Sequence, residues 1–242
     1  MELFMKKYFN LYVILGLSFF AIFLFLIILL QIDKAAIAPS GEPVGLSHLN
    51  NIVKYNENAS ADKMSDILFY LTFSALLAGA ILGLYQLIKR KSLKEVDFEL
   101  YVFVITMVIC AIFWLLFDKA LKINVRPINK DEGSFPSTHV FIGTFLVLFG
   151  HYLLTIYKDD KAVKYSSVVL AAVVIIALAG LRVVAGMHYI TDVIGGIFLG
   201  LSFYFLSVGV IKIINNKKEL QKTENKKEVK EEIIEENKIE QE

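Results

Sequence analysis

The sequence predicts an all-α, polytopic membrane protein with six transmembrane helices. Hydrophobic residues make up 56% of the 242 positions and the mean hydropathy is +0.60, whereas soluble domains contain roughly 45–50% apolar residues. A helix needs about 20 apolar residues to cross a bilayer, and six runs in this chain come close to that length or exceed it. They cover residues 11–31, 67–88, 101–117, 140–157, 166–184 and 190–214.

The first run has features of both a membrane helix and a secretory signal. Ala36 and Ala38, which follow it, resemble a small-x-small cleavage site. The run itself is longer than the roughly 7–15 apolar residues at the centre of a signal peptide. We therefore expect the first run to remain in the protein as a membrane span.

A polar connection, 31–65, joins the first two spans. Within it Leu46, Leu49, Ile52 and Val53 recur at helical spacing. This pattern fits a short helix lying on the membrane surface. An ordinary loop is an equally good interpretation of the same residues.

The short loops predict how the chain is oriented. Basic residues cluster between the second and third runs and between the fourth and fifth, and the positive-inside rule places both loops in the cytoplasm. Lys6 and Lys7 favour the same side for the N-terminus, and six spans then return the C-terminus there. The expected organisation is a cytoplasmic N-terminus 1–10, a membrane domain 11–214 and a charged cytoplasmic tail 215–242. The tail alternates Lys and Glu, which predicts that it extends the last helix and then becomes a solvated segment.

The loop 118–138 lies on the opposite, outer side and yet is rich in positive charge. The positive-inside rule disfavours such residues outside, so their presence needs a reason, and binding of an anion supplies one. The basic residues of this loop are Lys119, Lys122, Arg126 and Lys130.

Polar residues at the outer ends of four runs are expected to meet. Pro136–His139 opens the fourth run, where free N–H groups and the helix dipole attract an anion, and Ser137 adds a hydroxyl. Arg182 ends the fifth run. Lys119, Arg126 and Arg182 supply positive charge, and the arginine forks match phosphate oxygens.

Two histidines and one aspartate supply the groups for chemistry. His188 and Asp192 are four residues apart, which predicts that both lie on one face of a helical turn. A carboxylate there can hold one imidazole nitrogen as N–H and leave the other free to attack. His139 is available as a second acid and base. Together with the cations, these groups predict a phosphoryl-transfer site that needs no metal ion and no other cofactor. The net charge of +1 gives no reason to expect a nucleic-acid partner.

The same residues form three motifs that resemble the signature of the type 2 phosphatidic acid phosphatase (PAP2) superfamily. That signature is Lys-x6-Arg-Pro, Pro-Ser-Gly-His and Ser-Arg-x5-His-x3-Asp. Two positions depart from it, because Thr138 replaces a glycine and Leu181 replaces a serine. The motifs here are Lys119-x6-Arg126-Pro127, Pro136-Ser137-Thr138-His139 and Leu181-Arg182-x5-His188-x3-Asp192.

The resemblance implies a PAP2-type helical bundle that hydrolyses a lipid phosphate or diphosphate on the outer face of the membrane. In such a site His188 would form a phosphohistidine, Asp192 would orient His188, and His139 would protonate the leaving alcohol and then activate water. Recycling of undecaprenyl diphosphate, a lipid phosphotransferase, and a non-catalytic anion-binding membrane protein are the alternatives. The phosphate-binding residues would be Lys119, Arg126, Ser137, Thr138 and Arg182.

Other polar or small residues inside the runs are assigned to packing. His151 is expected to form a structural hydrogen bond between helices, and Cys110 is expected to be a small core residue. The pairs Gly79–Gly83 and Gly196–Gly200 predict places where helix backbones approach closely.

Overall fold

The chain folds into a bundle of long helices in the computed structural model. The structure describes residues 10–34, 36–37, 41–129 and 131–239, with side chains described as far as Asn225. The predictions on Lys6, Lys7, Ala38 and Lys130 concern residues outside this part. The helices are α1 (Leu11–Ile32), α2 (Ser47–Asn50), α3 (Ala59–Thr72), α4 (Ser74–Arg90), α5 (Phe98–Leu115), α6 (Thr138–Tyr157), α7 (Lys161–Val184) and α8 (Ile190–Ile239).

Short irregular elements connect these helices. Two strands, β1 (Ala36–Ile37) and β2 (Pro43–Val44), pair antiparallel after α1. A 3₁₀ turn, Leu93–Glu95, precedes α5. A π-helical segment, Leu116–Leu121, directly follows the end of α5.

Six helical stretches among the described residues are long and apolar enough to cross a membrane. This confirms the prediction of an all-α, multi-pass membrane protein with six spans. The stretches are Leu11–Ile32, Ala59–Arg90, Phe98–Leu121, Thr138–Tyr157, Lys161–Val184 and Ile190–Asn225.

Several boundaries differ from those predicted by hydropathy. The second span starts earlier, at Ala59, and is divided at Phe73 into α3 and α4. The fifth span begins at Lys161, because the side chain of Asp160 caps the helix by accepting a hydrogen bond from the Val163 backbone N–H. The last helix runs on to Ile239, so the predicted helical extension covers nearly the whole charged tail. Lys and Glu are both good helix formers, which explains why the helix continues beyond the apolar run.

Helix α6 forms the centre of the bundle. Phe141, Phe145 and Phe149 on α6 are fully or almost fully buried. The ring of Phe149 stacks on that of Phe103 of α5, with 4.6 Å between the ring centres. Because the N-terminal end of α6 carries Ser137 and His139, this central packing fixes the position of the candidate site.

Helices α6 and α8 approach each other closely at the two predicted glycines. A Cβ atom at Gly196 would lie 2.8 Å from the Ser137 carbonyl oxygen, and one at Gly200 would lie 2.7 Å from the Phe141 carbonyl oxygen. Gly79 is similarly restricted, since its Cβ would lie 3.1 Å from the ring of Phe103. Gly83 allows ordinary contact at 3.6 Å, so this one of the four predicted positions does not require glycine.

We expect the substitution Gly196→Ala to destabilise the protein by about 1–3 kcal/mol, because the new methyl group would push α6 away from α8. The matched control is Gly180→Ala, where a Cβ would meet no heavy atom of another described helix within 4 Å. Thermal unfolding in detergent checks this expectation. Equal midpoints for the two variants would contradict it.

The structure confirms the packing roles predicted for His151 and Cys110. His151 on α6 lies 2.8 Å from the Ser167 hydroxyl of α7, measured from Nδ1 to Oγ. Cys110 is fully buried within α5. Both residues therefore stabilise helix packing away from the polar end of the bundle.

The connection between α1 and α3 is mostly irregular chain with one short helix, so it has features of both interpretations. We call residues 41–58 the strap. Its only helix is the single turn α2, and the buried residues on that turn are the polar Ser47 and Asn50, while Ile52 is exposed. The Asn50 amide donates to the Thr191 hydroxyl (2.9 Å), and its oxygen accepts from the Thr191 backbone N–H (3.2 Å). The strap thus packs against the start of α8 because a buried amide must satisfy its hydrogen bonds.

Candidate active site

The predicted residues lie at one end of the bundle, where α5 ends, α6 begins, α7 ends and α8 begins. A cavity of about 530 Å³ opens there and is lined by five of the eight predicted residues. Ser137, Arg182 and Asp192 are buried nearby and are not among the residues that line the cavity. The lining residues predicted from the sequence are Lys119, Arg126, Thr138, His139 and His188.

His188 lies in the turn between α7 and α8. The helix begins only at Ile190, so the prediction that His188 and Asp192 share one helical turn was wrong. His188 Nδ1 is 2.9 Å from the backbone oxygen of Ser134 and 3.7 Å from Asp192 Oδ2. A carbonyl oxygen only accepts hydrogen bonds, so Nδ1 carries the proton and Nε2 carries the lone pair. The Ser134 carbonyl therefore sets the tautomer that a nucleophile requires.

Asp192 hydrogen-bonds mainly to the backbone of this turn and to Ser134 rather than to the imidazole ring of His188. The Asp192 carboxylate is fully buried, and its Oδ2 accepts from the Tyr189 backbone N–H at 2.8 Å and from the Ser134 hydroxyl. Asp192 is the third residue of α8, the position from which an acidic side chain closes a capping box. It therefore fixes both the start of α8 and the loop residue that holds His188.

Ser134 is a residue that sequence reasoning missed. It lies in the loop before α6, and its backbone N–H donates to the Asn124 carbonyl oxygen at 2.8 Å. Nothing in its sequence context distinguishes it from other loop serines. Its role becomes visible only when the loop folds against Asp192.

The pKa of His188 is held well below its usual value of 6.5. The main cause is complete burial, and the positive charges of Arg182 and Arg126 act in the same direction. The hydrogen bond to Ser134 opposes the shift but does not reverse it. His188 is consequently neutral at pH 7, as an attacking group must be.

The lowered pKa of His188 predicts how the reaction rate depends on pH. A histidine with an ordinary pKa loses its neutral form as the pH falls through about 6.5, whereas His188 should keep it to a lower pH. In the phosphohistidine mechanism that the motif resemblance implies, the burst of the first product would report attack by His188, and we expect it to keep its pH 7 amplitude and rate down to below pH 6.5. Rapid-quench measurements across pH 5–8 check this, and a His188-dependent fall centred at or above 6.5 would contradict it.

His139 lies in the first turn of α6 and contacts α3. Its Nε2 is 2.9 Å from Asp66 Oδ1, and the ring of Phe69 packs on its imidazole with 4.3 Å between ring centres. Asp66 was missed because the second apolar run was taken to begin at residue 67. The signal that was available is that an acid precedes an apolar run on the predicted outer side.

Arg182 is held in the last turn of α7, where its side chain is only 3% exposed. Its Nη1 donates to Asp62 Oδ1 at 2.6 Å and to the Ser65 hydroxyl at 3.0 Å. Its Nε is buried and has no hydrogen-bond partner among the described residues. The guanidinium is therefore anchored at one nitrogen and leaves donors for another ligand.

Two more predicted phosphate-binding residues carry buried donors of this kind. Arg126 pairs with Glu132 at 2.9 Å through Nη2, while its Nε has no partner among the described residues. The Ser137 hydroxyl is in the same situation. Buried donors are almost always satisfied in folded proteins, so three unsatisfied ones on predicted phosphate-binding residues favour an anionic ligand.

The remaining two predicted residues, Thr138 and Lys119, contribute less directly. Thr138 offers its backbone N–H, because the N-cap residue Ser137 makes no side-chain capping bond and so leaves the first N–H groups of α6 available to a ligand. Lys119 lines the cavity, but its side chain is 72% exposed and its ammonium group pairs with Asp118 at 2.7 Å. Lys119 thus lies at the mouth of the cavity rather than in its wall.

The fold and the site define a multi-pass helical membrane protein with a basic, histidine-containing pocket at one end of the bundle. The chain belongs to the PAP2 superfamily, whose sequence model matches residues 68–215. It is 34% identical over 103 residues to phosphatidylglycerophosphatase B of Bacillus subtilis (strain 168), which covers 39% of this chain and 51% of that protein. The chain therefore matches about half the length of this curated relative.

A solved structure shares the fold. It is the crystal structure of a transmembrane PAP2-type phosphatidylglycerolphosphate phosphatase from Bacillus subtilis, with a TM-score of 0.52 at 22% identity. The match covers 81% of this chain and 96% of that chain. At this level of identity the comparison supports the arrangement of the helices.

Proposed function

We propose that the protein is a membrane lipid phosphatase that hydrolyses a lipid phosphate or diphosphate through a phosphohistidine on His188. The observation that carries the proposal is the fixed tautomer of a buried, neutral His188 at a cavity lined by Arg126, together with unsatisfied Nε donors on Arg126 and Arg182. A nucleophile and preorganised positive charge are what phosphoryl transfer requires of a protein.

The cavity also favours an amphiphilic substrate. Its polar side carries the histidines and Arg126, and its other side is built from apolar residues of α3, α5, α6 and the α3–α4 junction. A lipid could place its phosphate against the first side and the start of its chains against the second. These apolar residues are Phe69, Phe73, Met107, Ala111, Trp114 and Ile142.

The reaction would proceed in two displacements. His188 Nε2 attacks phosphorus, the bond from phosphorus to the lipid oxygen breaks, and His139 gives its proton to the departing alcohol. His139 then takes a proton from water, whose oxygen attacks the phosphohistidine, and phosphate leaves with His188 neutral again. Arg126, Arg182 and Ser137 would stabilise the charge on the phosphoryl oxygens in both steps.

The substrate is tested by phosphate release in detergent, with a chelator present. The name of the curated relative makes phosphatidylglycerophosphate the first lipid to test, beside phosphatidic acid and undecaprenyl diphosphate. We expect release from at least one of them, equally with and without Mg²⁺. Strict dependence on Mg²⁺ would contradict the proposed mechanism. Transfer to a second lipid without release would identify a phosphotransferase, and binding without turnover would identify an anion-binding protein.

We further propose that the site faces the outside of the cell membrane and that both chain ends are cytoplasmic. The basic loops that follow α4 and precede α7 support this orientation. With Cys110 replaced by alanine, Asn51→Cys in the strap should react with a membrane-impermeant maleimide in intact cells. Lys161→Cys should react only after permeabilisation, and the reverse pattern would overturn the orientation.

A further inference from the structure

One face of α3 supports both of the basic groups that flank His188. We call Asp62, Ser65, Asp66 and Phe69 the α3 face, since the spacing i, i+3, i+4, i+7 places them on one side of a helix. Asp62 binds Arg182 and Asp66 binds His139, at 2.6 and 2.9 Å. Both acids lie outside the residues 68–215 that match the family.

The contacts of the α3 face are specific rather than incidental. Ser65 is fully buried, and its hydroxyl donates to the Asp62 carbonyl oxygen at 2.7 Å, so it is oriented to accept from Arg182 Nη1. Phe69 covers the imidazole ring of His139. His139 therefore meets Asp66 and Phe69, while Arg182 meets Asp62 and Ser65 and lies 3.7 Å from Asp66.

We propose that Asp66 is a positioning residue for the proton donor His139 and that Asp62 is a positioning residue for the phosphate ligand Arg182. This inference rests on the proposed function and assigns separate tasks to two acids one turn apart. Asp66 controls how readily the leaving alcohol is protonated, and Asp62 controls how the phosphate is held.

The role of each acid follows from which nitrogen atoms of His139 and Arg182 it already hydrogen-bonds. Asp66 Oδ1 lies against Nε2 of His139, so this nitrogen donates to the carboxylate and Nδ1 is the nitrogen that exchanges a proton with the substrate. The negative carboxylate stabilises the protonated ring that must donate. Asp62 occupies Nη1 of Arg182, while Nε, on the edge that can make two parallel bonds to a phosphate, has no partner among the described residues.

Two substrates with different leaving groups distinguish the role of Asp66 from that of Asp62. An alkyl alkoxide needs a proton to depart, whereas 4-nitrophenolate departs without one. Asp66→Asn should lower kcat for dodecyl phosphate about 10- to 100-fold and for 4-nitrophenyl phosphate less than about 3-fold, because general acid catalysis supplies roughly 10²–10⁴-fold only where it is needed. Asp62→Asn should instead raise KM for both substrates by a similar factor.

The experiment compares wild type, Asp66→Asn, Asp66→Glu and Asp62→Asn on both substrates, with Asp159→Asn at the other end of the bundle as the matched control. We expect Asp66→Glu to restore part of the loss with dodecyl phosphate and the control to match wild type. Equal losses on both substrates for Asp66→Asn, or no loss on either, would overturn the inference. Thermal unfolding of each variant excludes a general loss of folding. Failure of wild type to release phosphate from either substrate would instead overturn the proposed function.

Discussion

Replacing His188 with alanine is expected to abolish phosphate release. Loss of an enzyme nucleophile typically lowers kcat by roughly 10⁴- to 10⁶-fold, and the structure offers His188 as the imidazole whose Nε2 is free and whose other nitrogen is fixed by a carbonyl. The control is His48→Ala, since His48 is an exposed histidine of the strap. Phosphate release from the best lipid substrate measures both variants.

The phosphohistidine itself provides a second readout of this prediction. Wild type quenched during turnover of a ³²P-labelled lipid should carry an acid-labile label, and His188→Ala should carry none. The His48→Ala variant should be labelled like wild type. A His188→Ala protein with near-wild-type turnover would contradict the assignment of the nucleophile.

The second large effect is expected for Arg182→Ala. Removal of one preorganised donor to a developing charge typically lowers kcat by roughly 10²- to 10³-fold. The same substitution leaves Asp62, and in part Asp66, without its cationic partner, since Arg182 lies 2.6 Å and 3.7 Å from these carboxylates. An unpaired, partly buried acid costs about 1–3 kcal/mol, so we expect a lower unfolding midpoint as well as lower activity.

A double variant separates these two effects. In Asp62→Asn with Arg182→Ala the unpaired charge is removed, so the unfolding midpoint should recover most of its loss while activity stays low. Thermal unfolding and phosphate release on the same preparations provide the comparison. Recovery of activity together with stability would show that Arg182 serves only to neutralise the negative charge of the acids on α3.

The number and type of spans could be predicted because hydropathy is encoded locally, within each run. The ends of the spans could not, because they depend on particular side chains. Asp160 caps α7, which therefore begins at Lys161, five residues before the apolar run that starts at Ser166. The helix-forming Lys and Glu residues of the tail carry α8 far beyond the end of its apolar run.

The motif residues could be placed at one end of the bundle from the order of the spans alone. Their partners could not, because they come from distant parts of the chain. Ser134 is 54 residues from His188, Asp66 is 73 from His139 and Asp62 is 120 from Arg182. The turn that carries His188 was misjudged because a four-residue spacing also fits a capping box, in which the residue before the cap lies outside the helix.

Because the strap holds the start of α8, the site can form only after α8 has been synthesised. Asn50 supplies hydrogen bonds at the start of α8, which lies 141 residues further along the chain and is made later. Tyr55 of the strap also packs edge-on against Tyr189, next to His188, with 5.0 Å between ring centres. A nascent chain with only its first five spans therefore has the strap but nothing for it to hold. The turn that carries the proposed nucleophile takes its final shape only when the strap meets the start of α8.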